Sequence, residues 1–242
     1  MRDDLIPAGQ RNERRIKILN RTAKEVRNYR VTKKILISAL VMLLVVASIL
    51  YMVSALYKQS GSFTISVDKY EMMKYGLTLS ETSDMAYNSS HLNTQISEHI
   101  TNIASEEIPD NVDKIDGAHS GTNYIAYTFY LQNAGEVAVS YEYSVVMSNV
   151  TNGIDEAIRL RLYVHGEPTT YAKTKADGTG PEPYTKEFYS ANVMAFGRVD
   201  DFAVGEKTKF TVVIWIEGSD PECLDWLIGG QMKIDMNMSI VH

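Results

Sequence analysis

Five histidines, His91, His99, His119, His165 and His242, are the residues to weigh first for metal or acid–base chemistry. A catalytic zinc takes about three protein ligands around an open position, and the pair that founds such a site is usually spaced as HExxH or HxH on one element. Neither spacing occurs. His91 and His99 are the closest pair, about two helical turns or ~12 Å apart if helical, too far to share one ion. Carboxylates gather in two places: Asp110, Asp113 and Asp116 with Gly117, and Asp220, Glu222 and Asp225. Oxygen-rich loops suit Ca²⁺, but neither stretch has the D-x-[DN]-x-[DN]-G register of a dedicated calcium loop. Solvated turns account for both. With no Ser/His/Asp arrangement and no Gly-rich phosphate loop, the reading is of no catalytic, metal-ligating or cofactor-binding residue, hence not an enzyme and no cofactor.

Cys223, the single cysteine, excludes an intrachain disulfide. It could be a surface thiol that pairs between molecules. A small apolar residue packed under the Asp220–Trp226 loop is the commoner state of a free Cys and the better account. A disulfide-free exported domain fits a bacterial surface, Gram-positive in particular, better than eukaryotic secretion.

The rest of the chain must position these residues, and charge divides it into three. Residues 1–34 carry eleven Lys/Arg and four Asp/Glu, a net of +7; residues 35–57 carry no charge. Since the whole chain is −6, residues 58–242 carry −13. That acidity argues against a nucleic-acid partner.

The uncharged stretch Ile35–Tyr57 reads ILISALVMLLVVASILYMVSALY. As a helix it spans about 34 Å, enough to cross a hydrocarbon core of about 30 Å. Lys33 and Lys34 flank one side, with Tyr51, Tyr57 and Lys58 at the other interface. The positive-inside rule then places residues 1–34 in the cytoplasm and 58–242 outside a single-pass cell membrane, with lipid as the partner of residues 35–57. Val53-Ser54-Ala55 resembles a signal-peptidase site, but the basic head and the apolar run are both longer than in a signal peptide, which favours a retained anchor. Residues 11–34 could lie as a basic helix on anionic headgroups, although a topogenic tail accounts for them as well.

Beyond residue 58 the periodicity is that of strands. SFTISV from Ser62 alternates, and Leu77 and Leu79 suggest a second short strand. Residues 81–120 lose the alternation and read as a polar excursion, with a helix around Leu92–Ile103 and a turn at Pro109-Asp110-Asn111. NYIAYTFYLQN, from Asn123, is apolar on both faces and predicts a doubly covered strand. After a turn at Ala134-Gly135, VAVSYEYSVVM returns; IRLRLYVH follows, with weaker strands near Tyr171 and Phe188. KFTVVIWIEG sets Phe210, Val212, Ile214 and Ile216 inward, and QMKIDMNMSIVH sets Met232, Ile234, Met236, Met238 and Ile240 inward. Many strands without alternating helices predict an antiparallel β-sandwich of jelly-roll or Greek-key type behind one transmembrane helix.

Three stretches go beyond generic strands: residues 119–147, HSGTNYIAYTFYLQNAGEVAVSYEYSVVM; residues 210–240, FTVVIWIEGSDPECLDWLIGGQMKIDMNMSI; and SGSFTISVDKYEMMKYGLTLSET just after the apolar run. Together they resemble membrane-anchored or secreted Firmicutes proteins of the TasA/camelysin β-sandwich family. The resemblance implies an exported jelly-roll-like domain and, by analogy with TasA, matrix assembly. Camelysin-like proteins have been classed as metallopeptidases, but no residue here supports that activity. The long basic head departs from TasA.

The leading expectation is therefore a non-enzymatic cell-surface protein with a structural, matrix or interaction role, capable of self-association or of binding a protein partner. The alternatives are a binding module for a peptide, glycan or membrane protein, using residues 81–120, and a secreted camelysin-like metallopeptidase. Fibre formation would need an exposed strand edge, a binding module a concave groove with clustered aromatics, and an enzyme converging histidines and carboxylates.

Overall fold

A computed structural model describes residues 23–59, 62–95 and 100–241. His99, His242 and the first half of the basic stretch 11–34 lie outside the described residues. The chain divides into two compact units between Tyr57 and Lys58.

In the first unit α1 (Ala23–Gln59) runs unbroken through the uncharged stretch, which contains neither Gly nor Pro. Ser48 turns its hydroxyl back onto the carbonyls of Leu44 (2.6 Å) and Val45 (3.1 Å), so it brings no unpaired polar group to the apolar surface. From Arg27 to Ser54 the helix is long and apolar enough to cross a membrane, and all its side chains are exposed.

The second unit is a sandwich of two sheets. One orders β10 (Val193–Phe202), β6 (Val139–Ser148), β12 (Lys233–Val241), β1 (Ser62–Val67) and β3 (His91–Gln95). The other orders β2 (Leu77–Ser80), β5 (Tyr124–Asn133), β11 (Lys207–Ile216), β7 (Ile158–Val164), β8 (Glu167–Ala172) and β9 (Lys186–Glu187), with β4 (Gly117–Ala118) also paired to β5. Taken in chain order, the eight longest strands stand first-eighth-third-sixth in one sheet and second-seventh-fourth-fifth in the other. That is the jelly-roll order. Two pairs, β1 with β12 and β8 with β9, are parallel, so the sandwich is mixed where a purely antiparallel one was expected.

Period-two alternation drives the packing. Phe210, Val212 and Ile214 from β11, and Ile234, Met236, Met238 and Ile240 from β12, turn into the shared core as expected. Rings meet across it: Phe63 lies edge-on to Tyr127 at 6.4 Å and Tyr143 to Phe210 at 5.2 Å. The Tyr141 hydroxyl donates to Thr208 Oγ1 at 2.8 Å.

Two local expectations are corrected. The chain does not turn back at Ala134-Gly135 to pair β6 with β5; it crosses to the other sheet, where β6 pairs β10 and β12. The expected helix at Leu92–Ile103 begins instead as β3, held antiparallel on β1. Residues 103–117 of the excursion form a lid over the outer face of β5 and β11. Ile103, Ile108 and Val112 bury themselves against Ala126, Val213 and Trp215 as a second apolar cluster. Tyr130 donates to Asp116 at 2.8 Å, and Lys209 donates to the Asp113 carbonyl, pinning the lid to the same strands. Both faces of β5 and β11 are thereby covered, which is why their sequences read as apolar throughout.

Candidate functional site

On β7 the pleat sends Leu160 and Leu162 inward and Arg159, Arg161 and Tyr163 to the outer face. An outward arginine is ordinarily solvated. Arg159 is only 4% exposed because the loops carrying Glu182 and Asp220 close over it. Its Nη2 donates to Asp220 Oδ2 and lies 3.9 Å from Glu182 Oε2, while Nη1 donates to the Ile158 carbonyl at 3.2 Å. The backbone N–H of Glu222 donates to Asp220 Oδ1 at 2.8 Å.

Glu182, Asp220 and Glu222 each bring a carboxylate oxygen within 4.8 Å of the others, and the first two face the Arg159 guanidinium. A hydrogen bond with Asp220 is the main cause that pushes the Glu222 carboxyl above its ordinary value, with burial and the Asp220 charge adding to it. The arrangement is an ion-pair clamp that fastens two loops to β7. The sequence grouping Asp220, Glu222 and Asp225 is thus brought together only in part. Asp225 is exposed at the start of the turn Asp225–Leu227, and the third carboxylate comes from Glu182, in the connection between β8 and β9. No local spacing could have found Glu182 or its partner Arg159.

The other acidic grouping belongs to the lid: Asp110 is exposed and Asp116 accepts from Tyr130. Among the described histidines, His91 lies exposed on β3, His165 is in the β7–β8 turn, and His119 sets its two ring nitrogens 2.8 Å from the carbonyls of Gly117 and Val112. They sit on three separate elements. Cys223 is half-buried, and its Sγ accepts from Asn102 Nδ2 at 3.2 Å.

A second feature is concave. Between β9 and the free edge of β10 lies an open hollow of about 520 Å³, lined by Tyr171, Pro181, Lys186, Phe188, Tyr189 and Phe196. Tyr189 and Phe196 stack with centroids 4.9 Å apart and are 65% and 37% exposed. Aromatic faces rimmed by Lys186 and Glu187 suit a ligand that stacks and accepts or donates at its edge, such as a sugar ring or an extended peptide. The density of rings in Phe188-Tyr189 and Phe196 was the available signal for it.

No protein-family model matches the chain, and no curated protein does. Two solved structures align over most of it: the β-glucosidase from Kluyveromyces marxianus in complex with glucose (13% identity, TM-score 0.24) and the GH31 α-xylosidase from Xanthomonas citri (11% identity, TM-score 0.23). They cover 76% and 74% of this chain, which spans only 18% and 16% of theirs.

Proposed function

We propose a non-enzymatic cell-surface protein, held in the membrane by α1 with its basic head cytoplasmic and its jelly roll outside, in a structural, matrix or interaction role. The observation that carries this reading is α1 itself. Leu40, Leu43, Leu44, Ile49 and their neighbours are all exposed along a helix long enough to span a bilayer. A contiguous apolar surface of that extent is a lipid-facing surface or an aggregation site. The +7 head and the −13 body support the orientation, and the jelly-roll order agrees with the TasA/camelysin resemblance. Intact mass spectrometry of protein from membranes and from medium tests the anchor. Full-length mass, confined to the detergent-extracted membrane fraction, is expected; a species starting near residue 55, found in the medium, would overturn it.

The aromatic hollow favours a second, compatible reading, in which the exported domain binds a glycan or peptide there. Tyr189→Ala with Phe196→Ala should abolish any glycan-array signal of the wild type. A signal that survives both substitutions places the binding elsewhere.

A further inference from the structure

The end of the sandwich at which the chain arrives from α1 turns large apolar side chains outward on a built loop. β1 and β12 run parallel with Phe63 opposite Ile234, so the loop before β12 stands at the same end as Ser62. β6 finishes there too, Ser148 opposite Lys233, and hands the chain to the turn at 149–153. Only residues 60 and 61 separate the last residue of α1 from Ser62, a covalent reach of about 10 Å.

In this loop the turn Asp225–Leu227 points Leu227 inward, 6% exposed, and leaves Leu224, Trp226 and Ile228 outward at 54%, 52% and 76%. The display is held in place. Leu227 N–H donates to the Leu224 carbonyl (2.9 Å), Gly230 N–H to the Leu227 carbonyl (2.8 Å), and Asn152 Nδ2 to the Ile228 carbonyl (3.0 Å). The Trp226 ring lies against Gly153, where a Cβ would stand 2.6 Å from Cζ3, and whose φ of +56° suits glycine in any case. Apolar side chains are exposed at the far end as well, at Met73, Val137 and Val204. What singles out the near end is the tryptophan and the covalent tether.

We infer that Leu224, Trp226 and Ile228 form a lipid-contacting finger, which enters the headgroup–acyl boundary of the bilayer that α1 spans and fastens this end of the sandwich to it. Trp is favoured at that boundary because its ring is apolar and its N–H needs a polar partner. Asp225 and Glu222 beside the finger limit it to the depth of the headgroups. The inference rests on α1 as a retained anchor.

The chain has two tryptophans, Trp226 and the 1%-exposed Trp215, and neither is in α1, so fluorescence reads the finger directly. The full chain is reconstituted in phosphatidylcholine vesicles brominated near the carboxyl end of the acyl chains. The Trp226 signal is the difference between wild type and Trp226→Phe. Bromolipid should remove most of that signal, and aqueous iodide should remove little. The Leu224→Ser/Ile228→Ser variant, with Trp226 retained, should lose the bromolipid quenching. A Trp226 signal untouched by bromolipid overturns the finger, whether iodide quenches it, as in water, or not, as under a second copy. Flotation after alkaline extraction separates the two claims: a chain that fails to float refutes the anchor and the finger with it, whereas a floating chain with unquenched Trp226 refutes the finger alone.

Discussion

Arg159 is nearly sealed from water, and its charge is tolerated because Asp220 and Glu182 face it. Removing the cation leaves two buried carboxylates without a countercharge, so Arg159→Met should destabilise the sandwich by about 3–5 kcal/mol despite the similar volume. Urea unfolding of the two proteins measures this, and a loss under 1 kcal/mol would show the cluster to be hydrated. Glu222 gives a pH dependence with a definite sign. Its folded-state carboxyl is held above the ordinary value by Asp220, so the native state binds that proton more readily than the unfolded chain does. The corresponding stabilisation is complete below the ordinary glutamate value of about 4.3 and is lost as pH rises through the folded value. Glu222→Gln keeps a donor toward Asp220 without titrating, so its advantage in urea midpoint over wild type should grow from about pH 4 to pH 7. A constant gap would remove the coupling. That Asp220 and Glu222 lie close together was legible from their spacing, but the solvated turn expected there is corrected: Asp220 is buried in an ion pair. That Arg159 is buried was not legible, because alternation puts it on the outer face and only loops from distant parts of the chain cover it.

β12 keeps strict alternation and was readable to the residue, and in β11 the core-facing set at every second position was readable although its other face is apolar too. Ile214, 2% exposed, and Met236, fully buried, both face the core, while Lys233 faces outward in an ion pair with Asp235 at 3.1 Å. Ile214→Asp should therefore unfold the domain, since an unpaired carboxylate buried there costs several kcal/mol. Lys233→Asp should change stability by less than about 1 kcal/mol. Equal losses in thermal melts would contradict the register. β10 escaped the sequence reading for a physical reason. Its pairing with β6 shifts register between Val193 and Ala195 and again between Val199 and Phe202, so bulges break the period. Its Gly197 is packed so closely by Tyr143 that a Cβ would lie 2.2 Å from the ring, and Arg198 and Asp200 are spent on an edge ion pair. The lid was illegible as well: Ile103, Ile108 and Val112 are spaced by no regular element, and their burial depends on the face of β11 they meet.

Over the whole molecule, the division of charge and the uncharged helix were readable before any fold. The jelly-roll order needed pairings between strands far apart in sequence, which local pattern does not encode. The parallel β1–β12 pair follows from the chain entering the sandwich at the end where the loop before β12 also arrives. The central claim is that α1 crosses a membrane and leaves the sandwich outside. Intact cells stripped of wall should be treated with a membrane-impermeant amine reagent and the chain mapped by mass spectrometry. Lys69, Lys114, Lys186 and Lys207, all exposed on the sandwich, should be modified, while Lys17 and Lys24 should stay unmodified until the membrane is permeabilised. Labelling of Lys17 and Lys24 on intact cells, or protection of the sandwich lysines until lysis, would contradict the account.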